Sequence, residues 1–226
     1  MSIIRSPRGY YISTLLGRLD WVEHSFGTAL ASPAPGYRLL HQTHSAKVLE
    51  ARECGLGVEG DGLITNERDV FVGVKTADCV PLLIADTVQH AVAAVHAGWR
   101  GTLAGIAGLA LARMAKTFGS RPQDLVVAIG PSIGVCCFEV GPEVAVEFGE
   151  IFPERGDLLQ KTKIDLREAN LRQLLAAGVP GSQIDTDPPC TYCGGAEFYS
   201  WRRDRVAGQR MFASIGAISA SEPMTR

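Results

Sequence analysis

The sequence lacks an apolar run long enough to cross a bilayer, an internal repeat, a low-complexity tract and a stripe of Lys and Arg. The missing span argues against a membrane protein. The missing basic stripe, with a formal net charge of −2, argues against nucleic acid as a partner, because phosphate binding wants clustered cations. The opening segment "MSIIRSPRGYYISTLLG" also lacks a charged region followed by an unbroken apolar one and a small-residue cleavage site. A cytoplasmic protein is therefore expected. Its six cysteines (54, 79, 136, 137, 190, 193) are then reduced, and each is open to packing, metal binding or catalysis.

What is present is an ordinary globular balance: 226 residues, 46% hydrophobic and 20% charged. The most loop-like stretches, "ASPAPG" (31–36) and "PERGDL" (153–158), are too short to be linkers, so one domain over 1–226 is expected. Runs rich in β-branched residues predict strands at 46–52, 70–75, 80–86, 90–96, 125–130 and about 210–218. Helices are predicted at 101–118, small and apolar all round and hence buried, at 141–152, and at 165–178. The last starts on Asp165 as N-cap and stops at Gly178. Strands and helices mix without regular alternation, which points to an α+β fold with mixed sheets. The runs 80–85 and 91–95 are apolar at nearly every position, so their strands should be covered on both faces.

Only "TVQ" separates these two runs, which predicts a hairpin. If Asp86 faces His90, Val80 faces His96, and Cys79 and His96 meet at one end of the hairpin. Strict alternation would turn them to opposite faces, although Pro81 can break the ladder and free Cys79 into a loop. Packing, a thiol nucleophile with its base, and a shared metal ion all remain open for the pair. "HQTHS" (41–45) supplies a third element. His41 and His44 point apart on an extended segment, but one of them could join Cys79 and His96. Two imidazoles and a thiolate would make a three-ligand site with its fourth position open, the catalytic pattern for zinc.

The segments "HQTHSAKV", "GDGLIT", "KTADCVPLLIAD", "AVHAGWRGT", "AIGPSIGVCCFEVG" and "FYSWRRD" resemble, in order from about residue 20 onward, the bacterial laccase-domain family. That family is described as purine nucleoside phosphorylases with adenosine deaminase activity, and also as copper polyphenol oxidases. The resemblance implies a layered α/β/β/α sandwich with mixed β-sheets. It implies metal ligands at His44, Cys79 and His96, with Zn2+ as cofactor and Cu2+ as the alternative, and leaves His41 structural. It also implies phosphorolysis of adenosine and inosine, with methylthioadenosine as a further candidate, to free base and ribose 1-phosphate. The implied partners are thus a small purine nucleoside and phosphate; a homodimer is compatible with the sequence but not specified by it.

Around the trio, the glycine-rich "HAGWRGTLAG" leads into a helix and suits an anion, with Gly98 in the turn and Arg100 as a bidentate contact and catalytic group. Asp61, Lys75 and Arg202 are expected to contact substrate. Asp78 can orient a ligand or cap a turn. Cys136 and Cys137 are vicinal and, on an extended chain, cannot both enter one site, so both are read as packing. Cys190 and Cys193 form a C-x-x-C with no second copy, and no second metal is expected there. Two departures from the family stand out. "EHSFGTALASPAPG" lacks the Arg and paired glycines usual after the early "HGF", and Ser45 replaces a glycine. A laccase reaction needs several coppers and many more histidines than the five present. A metal-independent Cys79–His96 hydrolase and a binding module with structural zinc are the remaining alternatives.

Overall fold

The computed structural model describes residues 2–32 and 36–219; residues 33–35 of the "ASPAPG" loop, Met1 and residues 220–226 lie outside the described residues. Two sheets are stacked face to face. The first is antiparallel, in the order β1 (Ile3–Arg5), β2 (Tyr11–Ser13), β3 (Val22–Phe26), β13 (Met211–Ala217), β6 (Phe71–Thr76). The second is mixed, in the order β12 (Ile184–Asp185), β9 (Leu125–Ile129), β7 (Val80–Asp86), β8 (Val92–Ala97), β5 (Gly62–Thr65), β4 (Val48–Glu50). A two-stranded ribbon pairs β10 (Glu139–Val140) with β11 (Thr162–Lys163).

Every residue of β7 and β8 is buried, as their unbroken apolar pattern requires. Alternation divides their side chains between two cores. Leu83, Ala85, Val92 and Ala94 fill the space between the sheets with Phe26, Val72, Val74 and Ile215. Val80, Leu82, Ile84, Ala93 and Val95 face the other way, toward the helices. There, α1 (Trp99–Leu103) and α2 (Ile106–Phe118) follow directly from β8, and α4 (Leu166–Ala176) packs on both. Two further short helices, α3 (Pro142–Ala145) and α5 (Trp201–Asp204), flank the loops described below. The fold is thus mixed α/β with stacked sheets.

Asp165 caps α4 as expected, accepting from the N–H groups of Arg167 and Glu168. The helix expected over 101–118 is broken instead. Gly105 adopts φ 75°, which ends α1 after one turn and starts α2 in a new direction. Nor is α2 buried all round: Ile106, Ala107, Ala110, Leu111 and Met114 form one covered stripe, while Leu109 and Lys116 face solvent. The helix expected over 141–152 shrinks to α3, followed by a 3-10 turn at Val146–Phe148.

Candidate metal centre and its cavity

The β7–β8 hairpin is one residue out of the expected register. Val80 pairs with Ala97, and Pro81 pairs with His96. The cause is at the turn, where Asp86 Oδ1 accepts from Val88 N and Gln89 N, and Asp86 N donates to Ala91 O. The loop therefore holds four residues, with His90 at φ 51°. This shift removes the alternation problem. Cys79 lies two residues before Pro81, so it continues the face that carries His96. A one-residue slip moves every side chain across the sheet.

His44 reaches the same point from the loop before β4. His44, Cys79 and His96 each offer a ligand atom, and all three atoms lie within 4.8 Å of one another. The two imidazoles meet edge to face, with ring centroids 4.9 Å apart. His96 is 3% exposed, Cys79 is half-buried, and His44 is exposed toward the cavity. The group is closed from behind and open in front.

Asp61 holds this arrangement. Its carboxylate is fully buried and accepts from Thr43 N, His44 N, Ser45 N and Ser45 Oγ at 2.7–3.2 Å, and from His96 Nδ1 at 2.8 Å. One acid thus fixes the loop that carries His44, which sits at φ 59°, and the tautomer of His96, leaving Nε2 for the cluster. Ser45, in place of the family's glycine, adds the hydroxyl bond. Burial opposes ionisation of Asp61, yet hydrogen bonds from His96 and Ser45 win and hold it at about 2. The substrate contact expected of Asp61 is therefore corrected: its oxygens are saturated within the protein, and it does not line the cavity. Burial would also raise the Cys79 thiol, but the charge of His96 and hydrogen bonds from both histidines pull it down to about 6. Burial disfavours the His96 imidazolium, whereas Cys79 and Asp61 raise it to about 9. The site stabilises a thiolate beside a cation, and a metal dication can replace that cation.

Asp78 is not free either. It sits at φ 88°, accepts from Thr191 Oγ1 (2.7 Å), Ser200 Oγ (3.0 Å) and Arg202 N (2.7 Å), and so anchors the 190–202 segment beside Cys79. Gly98 also takes a different role from the expected anion turn. A Cβ there would stand 2.9 Å from His44 Cδ2 and 3.1 Å from Cys79 Sγ, so glycine is what lets the backbone pass the cluster. The following helix, α1, is only five residues long and has little dipole to offer.

In front of the trio opens a cavity of about 1050 Å3. Lys75, Arg100 and Arg202 line it, and so do Arg205 and Arg210, which sequence reasoning missed. Three of these arginines lie over aromatic rings of the same wall: Arg100 over Trp99 at 4.2 Å, Arg202 over Phe138 at 5.2 Å and Arg205 over Trp201 at 5.7 Å. Lys75 is placed by its backbone, which exchanges two hydrogen bonds with the Gln42 amide. His41, expected outside the site, lines the cavity too. Lys75, Arg100 and Arg202 line the cavity as expected, whereas Arg205 and Arg210 stand in no motif that marked them.

The model of the multi-copper polyphenol oxidoreductase laccase family matches residues 23–217. The chain belongs to this family. Among its relatives, a purine nucleoside phosphorylase of Bacteroides thetaiotaomicron is 45% identical over 161 residues, covering 69% of this chain and 60% of that protein. The chain thus spans less than two thirds of that relative. The purine nucleoside phosphorylase YlmD of Geobacillus stearothermophilus is 38% identical over 203 residues, 83% of this chain and 74% of that protein. Its crystal structure superposes with a TM-score of 0.85 at 30% identity, covering 96% of this chain and 99% of that one. Adenosine deaminase RL5, from an unknown prokaryotic organism, is 37% identical over 190 residues, 77% of this chain and 72% of that protein.

Proposed function

We propose that this protein is a zinc-dependent purine nucleoside phosphorylase with adenosine deaminase activity. The observation that carries the reading is a two-histidine, one-thiolate cluster, braced by Asp61, at the floor of a cavity walled by cations and aromatic rings. The relatives' names support the substrate class.

His44 and His96 through imidazole nitrogens, and Cys79 through Sγ, would hold the ion, and all three residues line the cavity. Zinc bound there supplies a Lewis acid that lowers the pKa of water to about 7. The chain's own groups do the rest. Trp99, Phe138, Trp201 and Phe212 offer apolar surface to a purine. Lys75, Arg100, Arg202, Arg205 and Arg210 supply the positive field that holds phosphate beside the sugar, while the C1′–N electron pair leaves with the purine. Arg100 and Arg202, held over their rings, present guanidinium groups in fixed orientation. Five cations against the lining acids Asp78, Glu139 and Glu143 leave the wall net positive.

A multi-copper oxidase is the weaker reading. Of the five histidines, His24 is bonded to Ser13 N inside the antiparallel sheet and His90 stacks on Trp21, which leaves too few imidazoles for a copper cluster.

Metal analysis with activity assays on one preparation tests the proposal. About one zinc should be lost from the protein on replacing His44, Cys79 or His96 with Ala. Adenosine should give inosine without phosphate, and free base with ribose 1-phosphate once phosphate is added. Full activity in a metal-free preparation would instead favour Cys79 as a nucleophile with His96 as its base.

A further inference from the structure

The four cysteines that the trio does not use converge. Cys136, Cys137, Cys190 and Cys193 each place Sγ within 4.8 Å of the others. The Sγ atoms of Cys136 and Cys193 are 3.7 Å apart, and those of Cys137 and Cys193 are 3.3 Å apart. The chain at 135–137 is a turn rather than an extended segment, which lets the two vicinal thiols reach one point while Cys137 also packs against the helix-side core, as expected.

We propose that these four thiolates form a second, closed metal site, tetrahedral and suited to zinc, that is structural rather than catalytic. Three observations carry this. Four thiolates on one tetrahedral ion with Zn–S of about 2.3 Å stand about 3.8 Å apart, close to the separations found. The backbone N–H of Gly134, across the gap from the C-x-x-C loop, donates to Cys190 Sγ at 3.2 Å. Such a donor stabilises a ligating thiolate. Gly134 leaves the space, since a Cβ there would press on Cys136 Sγ at 3.2 Å.

Binding releases one proton from each thiol and leaves a local charge of −2. Arg167 sits beside it, with its guanidinium donating to Ser132 O, Pro188 O and Pro189 O, so it braces both cysteine loops and offsets part of that charge. The site joins two loops that are otherwise held by the short Ser132–Cys190 bridge. Both loops grip Asp78: Ile133 N donates to its carbonyl at 2.9 Å, and Thr191 Oγ1 donates to its carboxylate. The first loop runs on into Phe138 and Glu139 of the cavity wall. The second ion therefore staples the wall that positions Cys79, without touching substrate.

Zinc content per chain, measured under reducing conditions, tests this. The wild-type protein should hold two ions. A Cys136→Ser/Cys193→Ser double variant should hold one and melt earlier, and a His44→Ala/His96→Ala variant should keep one ion whose X-ray absorption shows an all-sulfur shell. For a variant that does not fold, the wild type alone decides, because the cobalt-loaded protein should show the charge-transfer intensity of five thiolates distributed over two ions. One ion in the wild type, or an unchanged ion count in the double cysteine variant, would overturn the site. So would an intact mass showing disulfides among these cysteines in protein purified under nitrogen.

Discussion

Asp61 Oδ1 lies 2.8 Å from His96 Nδ1 and also accepts from His44 N, so a single carboxylate aligns two of the three proposed ligands. An amide of the same shape cannot do this. Asp61→Asn would turn an NH2 group toward N–H or O–H donors on one side, lose the charge that fixes the His96 tautomer, and leave buried donors unpaired. Loss of such a supporting partner typically costs about ten- to a hundredfold in metal affinity. Competition with a chromophoric chelator measures it, and unchanged affinity would contradict the assigned role.

Gly98→Ala tests how tightly the backbone must pass the cluster. The added methyl meets His44 and Cys79 at 2.9 and 3.1 Å. Overpacking costs about 1–3 kcal/mol, so zinc should bind roughly ten- to a hundredfold more weakly. Gly98 has φ −70°, a value open to alanine, so the fold itself should survive. Circular dichroism and metal titration on the same sample separate the two effects.

Arg100→Ala distinguishes the anion wall from the metal. Phosphorolysis needs phosphate held beside the sugar, whereas deamination needs water and the metal. Loss of one charge-assisted hydrogen bond, about 1.5 kcal/mol, predicts about a tenfold fall in phosphorolysis and a raised phosphate requirement. Deamination should change much less. Equal loss of both reactions, with zinc retained, would show that Arg100 holds the nucleoside or the fold.

His24 gives stability a pH dependence remote from the metal. Its ring is 8% exposed and accepts from Ser13 N at 2.9 Å, and burial pulls its pKa from 6.5 down to about 4. Between those values the unfolded chain binds the proton and the folded one does not, so stability rises with pH. It is complete above about 6.5 and is lost as pH falls toward 4. The shift corresponds to about 3 kcal/mol. Urea denaturation at stepped pH should show this slope in the wild type and a flatter one in His24→Gln.

Cys79 and His96, two of the three proposed ligands, were legible because they sit in contiguous motifs around one hairpin, whereas His44 was singled out by the family resemblance. "TADC" and "HAGWRG" flank β7 and β8, whose apolar runs announce a central sheet. The register was not legible, since Asp86 enlarges the turn by side-chain hydrogen bonds that no hydrophobic pattern records. Short β1, β2, β3 and β5 were missed for want of a long alternating run, and each is held by its neighbours in the sheet rather than by propensity. The helix break at Gly105 reads as an ordinary small residue in an Ala-rich run. Arg205 and Arg210 of the cation wall and the convergence of the four cysteines stayed hidden for a related reason: their members come from distant segments and meet only in three dimensions.

Strand β13 lies between β3 and β6 in the antiparallel sheet. During synthesis, therefore, β3 and β6 leave the ribosome with no shared edge until Met211–Ala217 follows them. Thr191, Ser200 and Arg202, which grip Asp78, also emerge about a hundred residues after Cys79. A nascent chain thus carries the three proposed metal ligands, and the Asp61 that braces His44 and His96, well before the segment that anchors Asp78 beside Cys79. For the proposed site, the contacts that anchor Cys79 therefore come last, and a stalled polypeptide exposes its thiol and two imidazoles without the 190–202 segment beside them.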